Sequence, residues 1–198
     1  MGSQGTTALT LDDFLALCEA APPGVRYEAV GGRAVMMSGP TPAHQFAVFE
    51  LGVRIHAAAP PGLNVLTAPL DWVLWQVPSL TLRQPDLVVV NDAQLQGPRL
   101  TAAPLLVVEV LSPTTRAVDL RDKRGEYARA GARHYWVVDI DAPSITAMTL
   151  DSNGTYRTTA EAKADDELAV TAPFPVSVTP AHLTRKGGGP WAPKAPQH

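Results

Sequence analysis

The sequence predicts an α/β (α+β) fold, a central mixed β-sheet flanked by helices. Short aliphatic runs bounded by Pro and Gly recur along the chain ("NVLTA", "LDWVLW", "DLVVV", "LLVVEVL", "HYWVVDI", "SITAMTL"), as strands do. Two longer stretches, opening at Thr41 and Asp119, have helical periodicity instead. The run from Leu105 to Leu111 is apolar on both faces, the pattern of a central strand covered on each side.

Each element has a local cause. Thr10 can cap a helix from Leu11 to about Glu19 by accepting from free backbone donors, and "PPG" at Pro22 to Gly24 ends it. "RYEAV" and "RAVMM" flank Gly31-Gly32, a two-residue turn in which both positions tolerate positive φ, so a hairpin is predicted. Thr41-Pro42 opens a helix whose Phe46, Phe49, Val53 and Ala57 form the stripe expected to face the core, ending before Pro60-Pro61. A second helix is predicted from Asp119 to Ala130, with Leu120, Lys123, Tyr127 and Ala130 inward. His134, Tyr135 and Trp136 begin a core strand, and Asn153-Gly154 marks a further hairpin. Trp72 and Trp75 are read as structural.

At 198 residues, 45% hydrophobic, the chain suffices for one domain, expected over 1–184, followed by a flexible Gly/Pro-rich tail over 185–198. The lone Cys18 excludes an intramolecular disulfide framework and a cysteine-rich zinc site. With no secretory pattern and no apolar run near the roughly 20 residues of a membrane helix, a cytoplasmic protein without membrane contact is expected. A net charge of −3 argues against non-specific coating of nucleic acid, which rests on many Lys/Arg–phosphate contacts.

Three charges sit where apolar residues belong. Glu109 interrupts the central strand, where an ionised carboxylate is costly unless a cation or metal answers it. Asp86 opens "DLVVV" directly after Pro85, on a strand expected beside that of Glu109. Lys123 is the single charge on the predicted inward face of its helix. Two carboxylates able to hold a hard divalent cation, with an ammonium alongside, suit metal-assisted phosphodiester hydrolysis. The alternatives are structural: Glu109 in an ion pair with an arginine, Asp86 capping a turn, Lys123 snorkelling to solvent. Arg116, Arg121, Arg124, Arg129 and Arg133 form either a phosphate-facing surface or a solvated face interleaved with Asp119, Asp122 and Glu126.

"QPDLVVV", "LVVEVLSPTTRAVDLRDKRGEYARAGARHYWVVD" and "RYEAVGGRAVMMSGPTPAHQ" resemble the Uma-two family of restriction endonucleases, in the PD-(D/E)XK nuclease superfamily, from about Leu9 to Leu183. The resemblance implies a restriction-endonuclease-like core, Mg²⁺ as cofactor with Mn²⁺ as a substitute, DNA as substrate and a homodimer that cuts both strands. It carries over Asp86 as the motif aspartate, Glu109 as the acid of the second half-motif and the Val110 backbone carbonyl as a further metal ligand. It also suggests Glu28 as an auxiliary ligand. His44 and Tyr127 are auxiliary candidates, each with a packing or capping reading beside it. One position departs from the superfamily pattern: the usual lysine, two residues after the acid, is Leu111 here, and Lys123 is its match on the following helix. The rival to a Mg²⁺-dependent DNA endonuclease is an inactive relative that binds nucleic acid or protein, which Leu111 and the acidic pI of about 5.9 favour.

Overall fold

The computed structural model describes residues 8–112 and 116–184; the tail predicted over 185–198 lies outside the described residues. Thr10 caps helix α1 (Leu11–Glu19) in a reciprocal box, its side chain accepting from the Asp13 N–H while Asp13 accepts from the Thr10 N–H. The hairpin of β1 (Arg26–Val30) and β2 (Arg33–Met37) turns on Gly31 and Gly32 at φ 57° and 76°. Gly32 is required twice over, because a Cβ there would also lie 2.5 Å from the Ala8 Cβ.

Helix α2 (Pro42–Ala58) follows, capped by the Thr41 hydroxyl, which accepts from the His44 N–H at 3.2 Å. Next come β3 (Leu63–Thr67), β4 (Trp72–Trp75), β5 (Thr81–Arg83), β6 (Leu87–Asn91) and β7 (Leu106–Val110). A π-helical segment, Val118–Lys123, then runs directly into α3 (Arg124–Ala130). The chain ends in β8 (His134–Asp139), β9 (Ser144–Leu150), β10 (Tyr156–Lys163), β11 (Leu168–Val170) and β12 (Val176–Val178). Among the described residues no helix is long and apolar enough to cross a membrane.

A six-stranded mixed sheet in the order β10-β9-β8-β7-β6-β3 is the frame, with β7 and β8 parallel and the other pairs antiparallel. The predicted centrality of β7 holds: it lies inside the sheet and is buried along its whole length. Leu87, Val89, Leu106, Val108 and Val110 turn to one face, against Ala47, Leu51 and Ile55 of α2. Val88, Val90, Val107 and Leu111 turn to the other, against Trp72, Tyr127 and Tyr135. A four-stranded sheet, β2-β1-β5-β4, packs α1 through Phe14 on Ala29, Val73, Leu80 and Leu82.

Two helical faces differ from the sequence reading. On α2 the core stripe is Ala47, Leu51 and Ile55, while Phe49 and Val53 are 59% and 50% exposed and Ala57 is also exposed. The helix carries two apolar stripes, and the sheet takes the one that runs through Ala47, Leu51 and Ile55. On the segment before α3, Leu120 is exposed and Asp119 takes the inward place. The wider π winding aligns residues four apart, so Asp119, Lys123 and Tyr127 form one buried line. Strand β5 was not legible as a strand; it is three residues long in a proline-flanked stretch and is ordered by pairing with β1 and β4.

Asp139 closes β8 and ties down the turn into β9, accepting from the Asp141 and Ala142 N–H groups and pairing with Arg116 at 2.7 Å. Burial raises its pKa, but these bonds outweigh burial and hold it below the usual carboxylate range. A depressed folded pKa contributes stability that is present above the unfolded value and lost as pH falls through the folded one. Asp139→Asn should therefore cost about 1–3 kcal/mol at pH 7. The gap to wild type in urea titrations should close toward pH 3; a gap independent of pH would assign the loss to packing.

Candidate active site

The register of β6 on β7 sets Leu87 opposite Val108, so Asp86, one residue before Leu87, arrives beside Glu109 and Val110. Asp86 Oδ2 accepts from the Val110 N–H at 2.8 Å, which fixes the carboxylate across the strand ends. His44, in the first turn of α2, places Nε2 3.1 Å from both Asp86 Oδ2 and the Val110 carbonyl oxygen. Burial opposes the imidazolium, yet the Asp86 hydrogen bond and charge, with the Val110 carbonyl, raise the His44 pKa above its ordinary value.

Lys123 reaches the same point from the connection between β7 and β8. It is buried, 3% exposed, with Nζ 3.0 Å from Glu109 Oε2, 3.0 Å from Asp119 Oδ1 and 3.9 Å from Glu28 Oε1. Snorkelling is thereby ruled out. Burial works against the ammonium, but Glu109, Glu28, Asp119 and Asp86 outweigh it, and its pKa is raised. Asp119 Oδ1, though at ion-pair distance, has no aligned hydrogen bond.

Glu109 is buried and takes a 2.6 Å hydrogen bond from the Tyr127 hydroxyl. Burial pushes its pKa well above the usual carboxylate range; Lys123 and Tyr127 oppose the shift, while Asp86 and Asp119 add to it. Tyr127 is itself locked by stacking on Trp72, with ring centroids 5.2 Å apart, and by an edge contact to Tyr135. Burial, then the Glu109 charge, raise its phenol pKa and keep it a donor. Leu111, where the superfamily lysine would stand, is 3% exposed in the same aromatic cluster. An ammonium there would displace packed core, and the helix supplies one from outside it.

Glu28 lies behind the site. Its carboxylate accepts from Arg83 Nη1 at 2.7 Å and from the Gln84 N–H at 2.9 Å, and Arg83 also grips Glu126 with Nε and Nη2. Neither its burial nor these partners fit a solvent-facing glutamate. The sequence reading missed Asp119 as an inward group and Arg83 as a buried one. Asp119 had a signal, since an acid four residues before an inward lysine can share its face. Of the arginines read as one surface, Arg116 and Arg121 are tied to Asp139 and Asp122, and Arg129 lies over Trp75.

Asp86, Glu109, Lys123, His44 and the Val110 backbone line one cleft of about 280 Å³. Among the described residues no three His, Cys, Asp or Glu side chains gather as a metal-binding group. Beside His44 Nε2, 3.1 Å from Asp86 Oδ2 and from the Val110 carbonyl, the donors that line the cleft are oxygens: the carboxylates of Asp86 and Glu109 and that carbonyl. That set suits magnesium, which takes one or two carboxylates and keeps several waters.

The mixed sheet that brings Asp86 and Glu109 to neighbouring strand ends, with helices on its faces, is an architecture found in a solved structure. The crystal structure described as "a putative nuclease belonging to DUF820 from Anabaena variabilis ATCC 29413" shares it, with a TM-score of 0.69 over 88% of this chain and 97% of that one, at 16% identity. Comparison with curated proteins returns no match. The Uma2 family model, described as "Putative restriction endonuclease", matches residues 11–184, and the chain belongs to that family of nucleases.

Proposed function

We propose that this protein is a divalent-metal-dependent endodeoxyribonuclease that hydrolyses phosphodiester bonds with water, using Mg²⁺ or, in its place, Mn²⁺. The observation that supports this reading most is the convergence of Asp86, Glu109 and Lys123 on one cleft from three separate elements. Asp86, Glu109 and the Val110 carbonyl are the residues that would hold the metal. Bound there, the cation lowers the pKa of water and offsets the charge that develops on the phosphate.

The protein's own groups divide the remaining work. Lys123, held on Glu109 by Asp119, presents an ammonium that orients the attacking water or draws a phosphate oxygen into the cleft. Tyr127 fixes the Glu109 carboxylate by its hydrogen bond to Oε1, leaving Oε2 toward Lys123. His44 steadies Asp86 and can donate from Nε2 at the mouth of the cleft. Glu28 and Arg83 back the lysine and set its position. By the family resemblance the reading includes a homodimer, which would offer one such site to each strand of a duplex wherever its bases leave the stack.

A metal bound only by the folded state stabilises it by about 2.7 kcal/mol at a hundredfold excess over Kd. For a chain of this size that raises Tm by roughly 5 to 10 °C. Millimolar Mg²⁺ or Mn²⁺ should do this for the wild type, and Asp86→Asn, which keeps an acceptor for the Val110 N–H, should abolish both the gain and the nicking of supercoiled DNA. A wild-type Tm indifferent to both metals, with no nicking, would favour the inactive relative instead.

A further inference from the structure

The catalytic cleft does not end at Asp86. A second cavity of about 480 Å³ adjoins it and shares Arg26, Gly39, Pro40, His44, Ala68 and Asp86 as common wall. Beyond that wall it is lined by Gln45, Val48, Phe49, Thr67 and Pro69. Its surface is thus largely apolar, with a few polar groups at the edge, the make-up of a pocket for a flat organic ring. Phe49 is the aromatic side chain of this lining, more than half exposed on the face of α2 turned away from the buried Leu51.

Arg26 is the second observation. Arg54, Arg83, Arg99, Arg116 and Arg121 are each paired with a carboxylate. Among the described residues Arg26, like Arg33, Arg124, Arg129, Arg133 and Arg157, has no such pair, but of these it is the one on the wall common to both cavities, where it is half-buried. A guanidinium without a carboxylate, between an acidic catalytic cleft and an apolar ring-sized cavity, is suited to the phosphate that links one nucleotide to the next.

We propose that this second cavity is a nucleobase subsite: it takes the unpaired base of the nucleotide beside the scissile phosphate, stacked on Phe49, with Arg26 on the adjoining phosphate. The inference rests on the nuclease reading and adds its substrate class, a strand whose base is out of the duplex stack at the cut. A base held in a continuous duplex cannot enter, whereas single-stranded or locally unpaired DNA presents its ring freely.

The test reads binding rather than cleavage, in EDTA, so that it does not depend on turnover. Fluorescence anisotropy is measured with a labelled single-stranded oligonucleotide and with the matching blunt duplex, for wild type, Phe49→Ala and Phe49→Trp. The expected result is tighter binding of the single strand, a loss of about tenfold or more in Phe49→Ala, and recovery in Phe49→Trp. Equal binding of strand and duplex, with no response to Phe49→Ala, would overturn the subsite while leaving a nucleic-acid-binding protein. Binding to neither would overturn the subsite, and nicking with Mg²⁺ then decides the nuclease reading separately. Phe49→Ala should melt with the wild type and keep its Mg²⁺ response; a change in sedimentation coefficient would show that Phe49 joins two copies of the chain, and the subsite would then be wrong.

Discussion

Lys123→Met is expected to lower Mg²⁺-dependent cleavage by about 10²–10⁴-fold, the range typical of losing a positioned proton-transfer or charge-stabilising group. Methionine replaces the aliphatic stem but not the ammonium that lies 3.0 Å from both Glu109 and Asp119. The same change leaves buried carboxylates without their cation, so a stability loss of about 3–5 kcal/mol is expected. The loss is moderated because burial already disposes Glu109 to hold a proton. Rates must therefore be taken below the melting range of the variant. Asp119→Asn supplies the control: it leaves Glu109 and Lys123 in place but loosens the lysine, and should lower the rate less than Lys123→Met does. A folded Lys123→Met protein that nicks DNA at the wild-type rate would make Lys123 a structural ion-pair partner.

What was legible in the sequence follows from how local the physics is. Capping by Thr10 and Thr41 and the Gly31-Gly32 turn depend on neighbours in the chain, and all were read at the right places. Glu109 and Lys123 stood out because a charge inside an apolar pattern has to be answered by something. Asp119 was passed over for Leu120 although its spacing of four before Lys123 was there to read; the π-helical winding that turns Leu120 outward had no local signal. Phe49 and Val53 were assigned to the core because periodicity shows that a stripe exists but not which of two stripes the sheet selects. The buried charges behind the site were out of reach for another reason. Arg83 meets Glu28 across 55 residues of chain and Glu126 across 43; the pairing of β1 with β5 brings the first together and the packing of α3 the second.

That long-range cluster carries the other large effect. Arg83 is 3% exposed and donates to Glu28 at 2.7 Å and to both oxygens of Glu126 at 2.7 and 2.9 Å. Burial disfavours its charge, but Glu126 and Glu28 outweigh burial and raise its pKa, so it stays a cation throughout the working pH range. Arg83→Met should cost about 3–5 kcal/mol, because one partner of a buried pair is left uncompensated. In a chain of this size that lowers Tm by roughly 6 to 20 °C. The two glutamates are not equivalent: Glu126 is 18% exposed and can turn to solvent, whereas Glu28 is 2% exposed and cannot. The orphaned charge is therefore that of Glu28, and Arg83→Met with Glu28→Leu should recover much of the loss, as apolar replacement of both partners often does. Thermal melts of the single and double variants decide this, and a double variant no more stable than Arg83→Met would locate the cost at Glu126 or in packing. The double variant also removes the anion 3.9 Å behind Lys123, leaving Glu109 and Asp119 to hold the ammonium. If its stability returns but cleavage does not, Glu28 sets the position of the lysine rather than merely supporting the fold.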